Sequence, residues 1–304
     1  MTFSIVVAET GGFCWGVKRA ILGALGKRKR VGEPIFVFGH LVHNEIAVAD
    51  LEESEVHVLT NLDEARARAS GKVILITAHG LDPAIRRELE VIGKEVVDMT
   101  CPIVENVHQA ARELRAQGLR MVLIGTPRSH PEVQGIIGVL EKDVFLVEQL
   151  SATNLIPYPA DAEIGIVAQT TFNEEAVREL VRKIQERFKN AVYLSKPSIV
   201  NPDYESAICD DISLKQKELR AVAPSCDRVI VVGSVEKSAN SRHLADIAKE
   251  ELCAKTAFIL VANHLDPHFT HGAKRVFVTA GASTPASSVR GVIKRLEEMG
   301  GIRE

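Results

Sequence analysis

Met121-Val-Leu-Ile-Gly-Thr-Pro-Arg-Ser-His-Pro-Glu132 decides how the chain is to be read. The first four residues form an unbroken apolar run, the composition of a strand buried on both faces. A glycine ends the run, and hydroxyl, imidazole and carboxylate groups follow at the approach to a helix. The same layout recurs. Ile35–Phe38 leads into Gly39-His-Leu-Val-His43-Asn44, and Val73–Thr77 into Ala78-His79-Gly80. Ile164–Val167 precedes Gln169-Thr170-Thr171, Arg228–Val232 precedes Gly233-Ser234 and Ser238-Ala-Asn240-Ser241, and Arg275–Thr279 precedes Gly281-Ala-Ser283. Phe3–Ala8 is a seventh run of this kind.

Amphipathic stretches alternate with these runs. At Asn173–Asn190, Asn173 can cap, and Val177, Leu180, Val181, Ile184 and Phe188 form one apolar face. Glu105–Gln117 before Gly118, Ser238–Leu252 and Ser287–Met299 read as further helices. Alternating strands and helices predict an α/β fold with largely parallel sheets. The stretches 150–162 and 192–206 are rich in turn-forming residues and read as connectors.

A chain of 304 residues is long for one core, so two or three sub-domains are expected. With 46% apolar and 25% charged residues it has the composition of a globular protein. A net charge of -3 gives no global footprint for nucleic acid. There is no stretch of about 20 apolar residues and no basic-then-apolar leader layout, so neither membrane nor export is expected and the cytoplasm is.

In open α/β sheets, ligands bind beyond the carboxyl ends of strands, where six of these runs place polar clusters. Free N–H groups and the helix dipole favour an anion there, and a diphosphate fits the hydroxyl, amide and imidazole groups better than a cation does. The plainer reading of Ser, Thr and Asn at such places is helix capping. Neither a Walker loop nor a Gly-x-Gly-x-x-Gly turn after a strand is present, so nucleotide binding lacks its motif. His43, His79 and His130 fall at equivalent places, and Glu132 is a candidate proton donor if a dry cavity raises its pKa. Otherwise it is a solvated carboxylate at a helix start.

Five scattered cysteines argue against a disulfide framework. Cys14 lies between Gly12 and Gly16, Cys101 in Asp98-Met-Thr-Cys-Pro102, and Cys209 after the second connector. A thiolate beside a helix N-terminus is stabilised, which favours metal binding, but the spacing is not that of a zinc finger. Cys226 and Cys253 sit in apolar surroundings and read as packing residues.

Gly12-Phe-Cys14-Trp-Gly-Val17, Val42-His43-Asn44, Ala78-His79-Gly80, Asp98-Met-Thr-Cys101-Pro102, His130-Pro-Glu132-Val-Gln-Gly135, Gln169-Thr170-Thr171, Val232-Gly-Ser234 and Val278-Thr-Ala-Gly-Ala-Ser283, in that order, resemble the hydroxymethylbutenyl diphosphate reductase family. The resemblance implies three α/β sub-domains arranged around a central iron–sulfur cluster held by Cys14, Cys101 and Cys209, a [4Fe-4S] cluster with one iron open to substrate. Expected boundaries are 1–100, 101–205 and 206–285, one cysteine to each, with a C-terminal helix and tail at 286–304. By family analogy His43, His79, Ser238, Asn240 and Ser283 hold the diphosphate. His130, Glu132 and Thr170 surround the allylic alcohol and carry the chemistry.

The implied reaction reduces 4-hydroxy-3-methylbut-2-enyl diphosphate to isopentenyl and dimethylallyl diphosphate, the last step of the methylerythritol phosphate pathway, with ferredoxin or flavodoxin as electron donor. Some residues depart from the family pattern. Asp-Asp-Ile-Ser-Leu-Lys-Gln follows Cys209 where Tyr-Ala-Thr and then Asn-Arg-Gln are usual, Ala239 replaces a serine, and Trp15 replaces a small residue. Thr126-Pro-Arg-Ser129 runs one residue longer. These keep open a diverged paralogue acting on another allylic diphosphate. Two further classes compete with the enzyme: a redox sensor that carries the cluster without turnover, and a metal-free phosphate-binding protein.

Overall fold

The computed structural model describes residues 2–194, 208–252 and 254–304. In chain order the elements begin with β1 (Phe3–Val7), α1 (Trp15–Val31), β2 (Ile35–Phe38), α2 (Glu45–Glu53), β3 (Val56–Leu59), α3 (Leu62–Arg68), β4 (Val73–Ile76), α4 (Pro83–Ile92) and β5 (Glu95–Asp98). Next come α5 (Pro102–Ala116), β6 (Arg120–Ile124), α6 (Pro131–Val139), β7 (Val144–Val147), β8 (Ile164–Ala168), α7 (Glu174–Arg187) and β9 (Val192–Tyr193). The last are α8 (Asp210–Val222), β10 (Arg228–Val232), α9 (Ala239–Asp246), β11 (Thr256–Ile259), β12 (Arg275–Ala280), α10 (Ala286–Glu298) and β13 (Gly301–Arg303). Among the described residues no helix is long and apolar enough to cross a membrane.

The fold is α/β, with three parallel sheets in two compact units. The first unit, Met1–Lys18, Val42–Asp50 and Asp211–Glu304, holds a five-stranded sheet in the order β11-β10-β12-β1-β13. Alternation along the strands buries both faces. Ile230, Val232, Val276 and Val278 pack with Val292, Ile293 and Leu296 of α10. Val229, Val231 and Phe277 pack on the other side with Leu219 of α8 and Leu244 of α9.

The second unit, Arg19–Leu41 and Leu51–Asp210, holds two four-stranded sheets, β3-β2-β4-β5 and β7-β6-β8-β9. Phe36 and Ile74 of the first meet Ala65 of α3 and Leu89 of α4. Met121, Leu123 and Val167 of the second meet Val107, Ala111 and Leu114 of α5 and Val133 and Ile136 of α6.

The structure corrects two expectations. The sequence places β1 in the first sub-domain and sets 286–304 apart as a C-terminal helix and tail, yet β1 pairs with β12 and β13 in the sheet that carries α10. Phe3 and Ile5 are buried, and a parallel strand with such residues belongs inside a sheet whatever its distance along the chain. Of Ser238–Leu252, only Ala239–Asp246 is α-helical; Ile247–Glu251 widens into a π turn. The connector at 150–162 contains a 3-10 turn, Leu150–Leu155, and the one at 192–206 opens with β9 and then leaves the described residues.

Candidate functional site

In the second unit, the carboxyl ends of β4, β6 and β8 supply one continuous set of contacts. Cys101 N–H donates to Ala78 O at 2.9 Å, tying the start of α5 to the loop that carries His79. The His79 ring stands edge-on to that of His130, with centroids 5.7 Å apart and an interplanar angle of 89°. His130 is the N-cap of α6, its Nδ1 accepting from Glu132 N–H at 3.2 Å. Glu132 Oε1 accepts from Thr170 N–H at 2.6 Å, and Thr170 O accepts from Cys209 N–H at 2.9 Å. Five of the expected residues, His79, His130, Glu132, Thr170 and Cys101, are thereby linked to Cys209.

Glu132 is not the solvated carboxylate of the plainer reading. It is 1% exposed, and its Oε2 is buried with no hydrogen-bond partner among the described residues. Burial pushes its pKa up from 4.5 to about 7, against the opposing pull of the Thr170 hydrogen bonds. The carboxyl therefore holds a proton near neutrality that a solvated glutamic acid would have lost.

Cys14, Cys101 and Cys209 each stand immediately before a helix: α1 begins at Trp15, α5 at Pro102 and α8 at Asp210. Val17 N–H donates to Cys14 Sγ at 3.3 Å. Burial pushes the Cys101 thiol up. The N–H groups of Ile103 and Val104 pull it down, although they are too loosely placed to cap. Arg19, which donates to Met99 O at 3.0 Å and also to Thr100 O, adds a smaller downward pull. Cys209 Sγ lies 3.8 Å from Asp210 Oδ1. Among the described residues no three His, Cys, Asp or Glu side chains converge as a mononuclear metal would need. Each of the three thiols stands at the start of a helix, a place that stabilises a thiolate.

In the first unit, Ser238 Oγ is the hub of a buried hydroxyl cluster. It caps α9 by accepting from Ser241 N–H at 3.2 Å, and it lies 2.8 Å from Ser241 Oγ and 3.0 Å from Ser283 Oγ. Ser283 Oγ is also 3.2 Å from His43 O. Asn240 Oδ1 accepts from Ala282 N–H at 2.9 Å, which leaves its buried Nδ2 with no partner among the described residues. A buried amide donor beside hydroxyls at a helix N-terminus is equipment for an anion. His43 precedes Asn44, which caps α2 through Ile46 N–H and Ala47 N–H at 3.1 and 3.2 Å. Four of the five residues expected at the diphosphate thus belong to this unit, whereas His79 stands beside His130 in the other.

Several contributors were not assigned from sequence. Gln169 Oε1 accepts from Thr126 N–H at 3.0 Å and its Nε2 donates to Thr171 Oγ1 at 2.9 Å, bracing the loops after β6 and β8. Ser241 carried no signal beyond its place in a motif, and Arg19 lies in no motif. Past Cys209, Ile212 is buried where the family's hydroxyl is usual, and Lys215, 1% exposed, pairs with Asp211 at 2.7 Å. Cys226 packs partly buried against the α8–α9 side of the sheet, as expected, and Cys253 lies outside the described residues.

Three parallel sheets, a thiol before each of three helices, a buried protonatable carboxyl and a buried hydroxyl cluster define the class: an α/β scaffold that gathers reactive and polar side chains at strand ends and helix starts. The chain belongs to the LytB protein family, whose sequence profile matches residues 5–297. It is 34% identical over 297 residues to 4-hydroxy-3-methylbut-2-enyl diphosphate reductase 2 of Burkholderia mallei, covering 97% of this chain and 86% of that protein. To the reductase of Aromatoleum aromaticum it is 35% identical over 297 residues, covering 97% and 90%. A solved structure of (E)-4-hydroxy-3-methyl-but-2-enyl diphosphate reductase, described as the terminal enzyme of the non-mevalonate pathway, superimposes with a TM-score of 0.68 at 33% identity, covering 97% and 99%. The Plasmodium falciparum reductase superimposes with 0.87 at 23% identity, covering 100% and 93%, and shares the fold.

Proposed function

We propose that the chain reduces 4-hydroxy-3-methylbut-2-enyl diphosphate, the compound its relatives are named for reducing, and that the products are isopentenyl and dimethylallyl diphosphate. The observation that carries this is Glu132, a carboxyl whose pKa burial raises to about 7 and which is held against Thr170, within one chain of hydrogen bonds and a ring contact that includes Cys101 and Cys209. Cys14, Cys101 and Cys209 would hold a [4Fe-4S] cluster, which when bound supplies electrons and an open Lewis-acidic iron.

The chain's own groups do the rest. Ser238, Asn240, Ser283 and His43 bind the diphosphate, a role that the family resemblance gives to His79 as well. Thr170 and His130 orient the allylic hydroxyl, and Glu132 delivers a proton to that oxygen so that it departs as water. Two electrons and two protons convert the alcohol to alkene plus water, the electrons arriving singly from a ferredoxin- or flavodoxin-type donor. The oxygen-labile group fits a reducing cytoplasm. A related allylic diphosphate is the second reading, favoured by Ile212 and Ala239.

The test is anaerobic turnover by the reconstituted protein with a chemical reductant. Both C5 diphosphates should form with wild type and be lost with Glu132→Gln at unchanged iron content. An intact cluster that forms no product from this alcohol, but does from another allylic diphosphate, selects the second reading. Absence of stoichiometric iron after reconstitution refutes both.

A further inference from the structure

His108 has no part in the function as described, yet it is among the most enclosed polar side chains of the second unit, at 3% exposure. It lies on α5, two turns beyond Cys101. Two glycines from other segments flank its ring. A Cβ on Gly80 would fall 2.5 Å from His108 Cε1 and 3.1 Å from Nε2. One on Gly135 would fall 3.3 Å from Nε2 and 3.4 Å from Leu81 N. Gly80 follows His79 directly, and Gly135 lies one turn beyond Glu132 on α6. The imidazole therefore fills the space between the backbone that carries His79 and the helix that carries His130 at its cap and Glu132 in its first turn.

As simple filler the ring is a poor choice. Its Nε2 is buried with no hydrogen-bond partner among the described residues, a cost that leucine or phenylalanine would not carry. Burial holds its pKa down at about 4, so the ring is neutral, with the Glu105 carboxylate 3.8 Å from Nδ1 pulling the other way. Gly80 has φ +75°, a backbone region open to glycine at little cost, so the loop comes this close to the ring only as it is built.

We propose that His108 is a positioning residue, a rigid spacer between Gly80 and Gly135 that sets the separation of His79 from His130 and Glu132. The reading rests on the proposed reductase only for its kinetic consequence; the spacing itself is a property of the folded chain.

The informative variant is Gly135→Ala, because Gly135 is helical and its new methyl forces the ring or the helix to give by a few tenths of an ångström. His108→Asn, which shortens the spacer, is the second, and the double variant is the size-compensating control. Full-length protein with 13Cε1-labelled histidine is examined by NMR, iron-free, and the reconstituted form is assayed for turnover. The His79 and His130 resonances, which sense each other's ring current, should shift in each single variant and return toward wild type in the double. kcat should fall about tenfold in the singles with a smaller rise in KM, since His79 is the one diphosphate residue displaced, and the double should recover most of both losses. Unmoved His79 and His130 resonances in folded Gly135→Ala overturn the proposal, as does a double variant no better than its singles. If wild type turns over no substrate, the reductase reading fails while the resonances still decide the spacing.

Discussion

Replacing Glu132 by glutamine should make the chain's stability less dependent on pH, and the size of the change follows from the burial of one carboxyl. Glu132 Oε1 accepts from Thr170 N–H at 2.6 Å, and a glutamine oxygen can do the same. The glutamine amide then occupies the place of the partnerless Oε2, much as the protonated acid does. The variant therefore resembles the neutral acid at every pH. In the wild type the carboxyl titrates at about 7 when folded and near 4.5 when unfolded, so between these values the folded state holds the extra proton. Stability from this group is fully present below 4.5 and is lost as pH rises through about 7, and the interval amounts to about 3 kcal/mol. Urea unfolding of iron-free protein between about pH 4.5 and pH 8 should show the variant gaining on wild type by that order, the gap opening across the window and flat above it. The difference between the two curves cancels groups common to both. Curves that stay parallel would mean that Glu132 is hydrated and would remove the case for it as a proton store.

His108 should give the opposite sign. Its folded pKa is held at about 4, against 6.5, so its contribution is present above 6.5 and is lost as pH falls toward 4, an acid limb of about 3 kcal/mol that His108→Asn should lack in the same titration. Gly138→Ala should destabilise by about 1–3 kcal/mol in urea midpoint, because the new Cβ would lie 2.5 to 2.7 Å from Cγ, Cβ and Cα of Asp82 and cannot be accommodated without moving backbone. Ser238→Ala should cost about 1 kcal/mol through the lost cap of α9 and, by removing the hydroxyl that Ser241 and Ser283 share, raise the substrate KM more than it lowers kcat. Phe188→Ala, at a fully buried ring under the Arg187 guanidinium, should cost about 3–5 kcal/mol with turnover of the surviving folded fraction intact.

The parts of the fold that were legible in the sequence share a physical cause. All seven strands read from apolar runs are interior strands of their sheets; among the described residues the six that went unread, β3, β5, β7, β9, β11 and β13, are the sheet edges. Interior parallel strands are covered on both faces and must be apolar throughout, as Val73–Ile76 is, whereas Glu95–Asp98 at an edge exposes both end residues and shows no run at all. The pairing of β1 with β12 was hidden for a different reason. A parallel partner can come from anywhere in the chain, and nothing in Phe3–Val7 records that its neighbours lie beyond residue 270. At the site, hydroxyl and imidazole residues announced themselves by recurring after strands. His108 did not, since a histidine in mid-helix carries no mark of the two glycines that its ring meets.

The three thiols show the same limit of sequence reading. Separations of 87 and 108 residues, taken as intervals along the chain from Cys14 to Cys101 and on to Cys209, look arbitrary against any short metal motif. In the structure the recurring quantity is the place of each thiol in its supersecondary unit: the residue before the first turn of a helix that follows a strand or loop. That place has a chemical use. N–H groups that have no partner inside the helix point at whatever occupies it, and they stabilise a negative sulfur more than a neutral one. At Cys101 they work against burial, which outweighs them and keeps the free thiol protonated. Such a balance favours a thiolate whose charge is further neutralised by a bound metal over a free one. The local requirement, one cysteine at one helix start, is met three times over, and it is the fold rather than the spacing that repeats it.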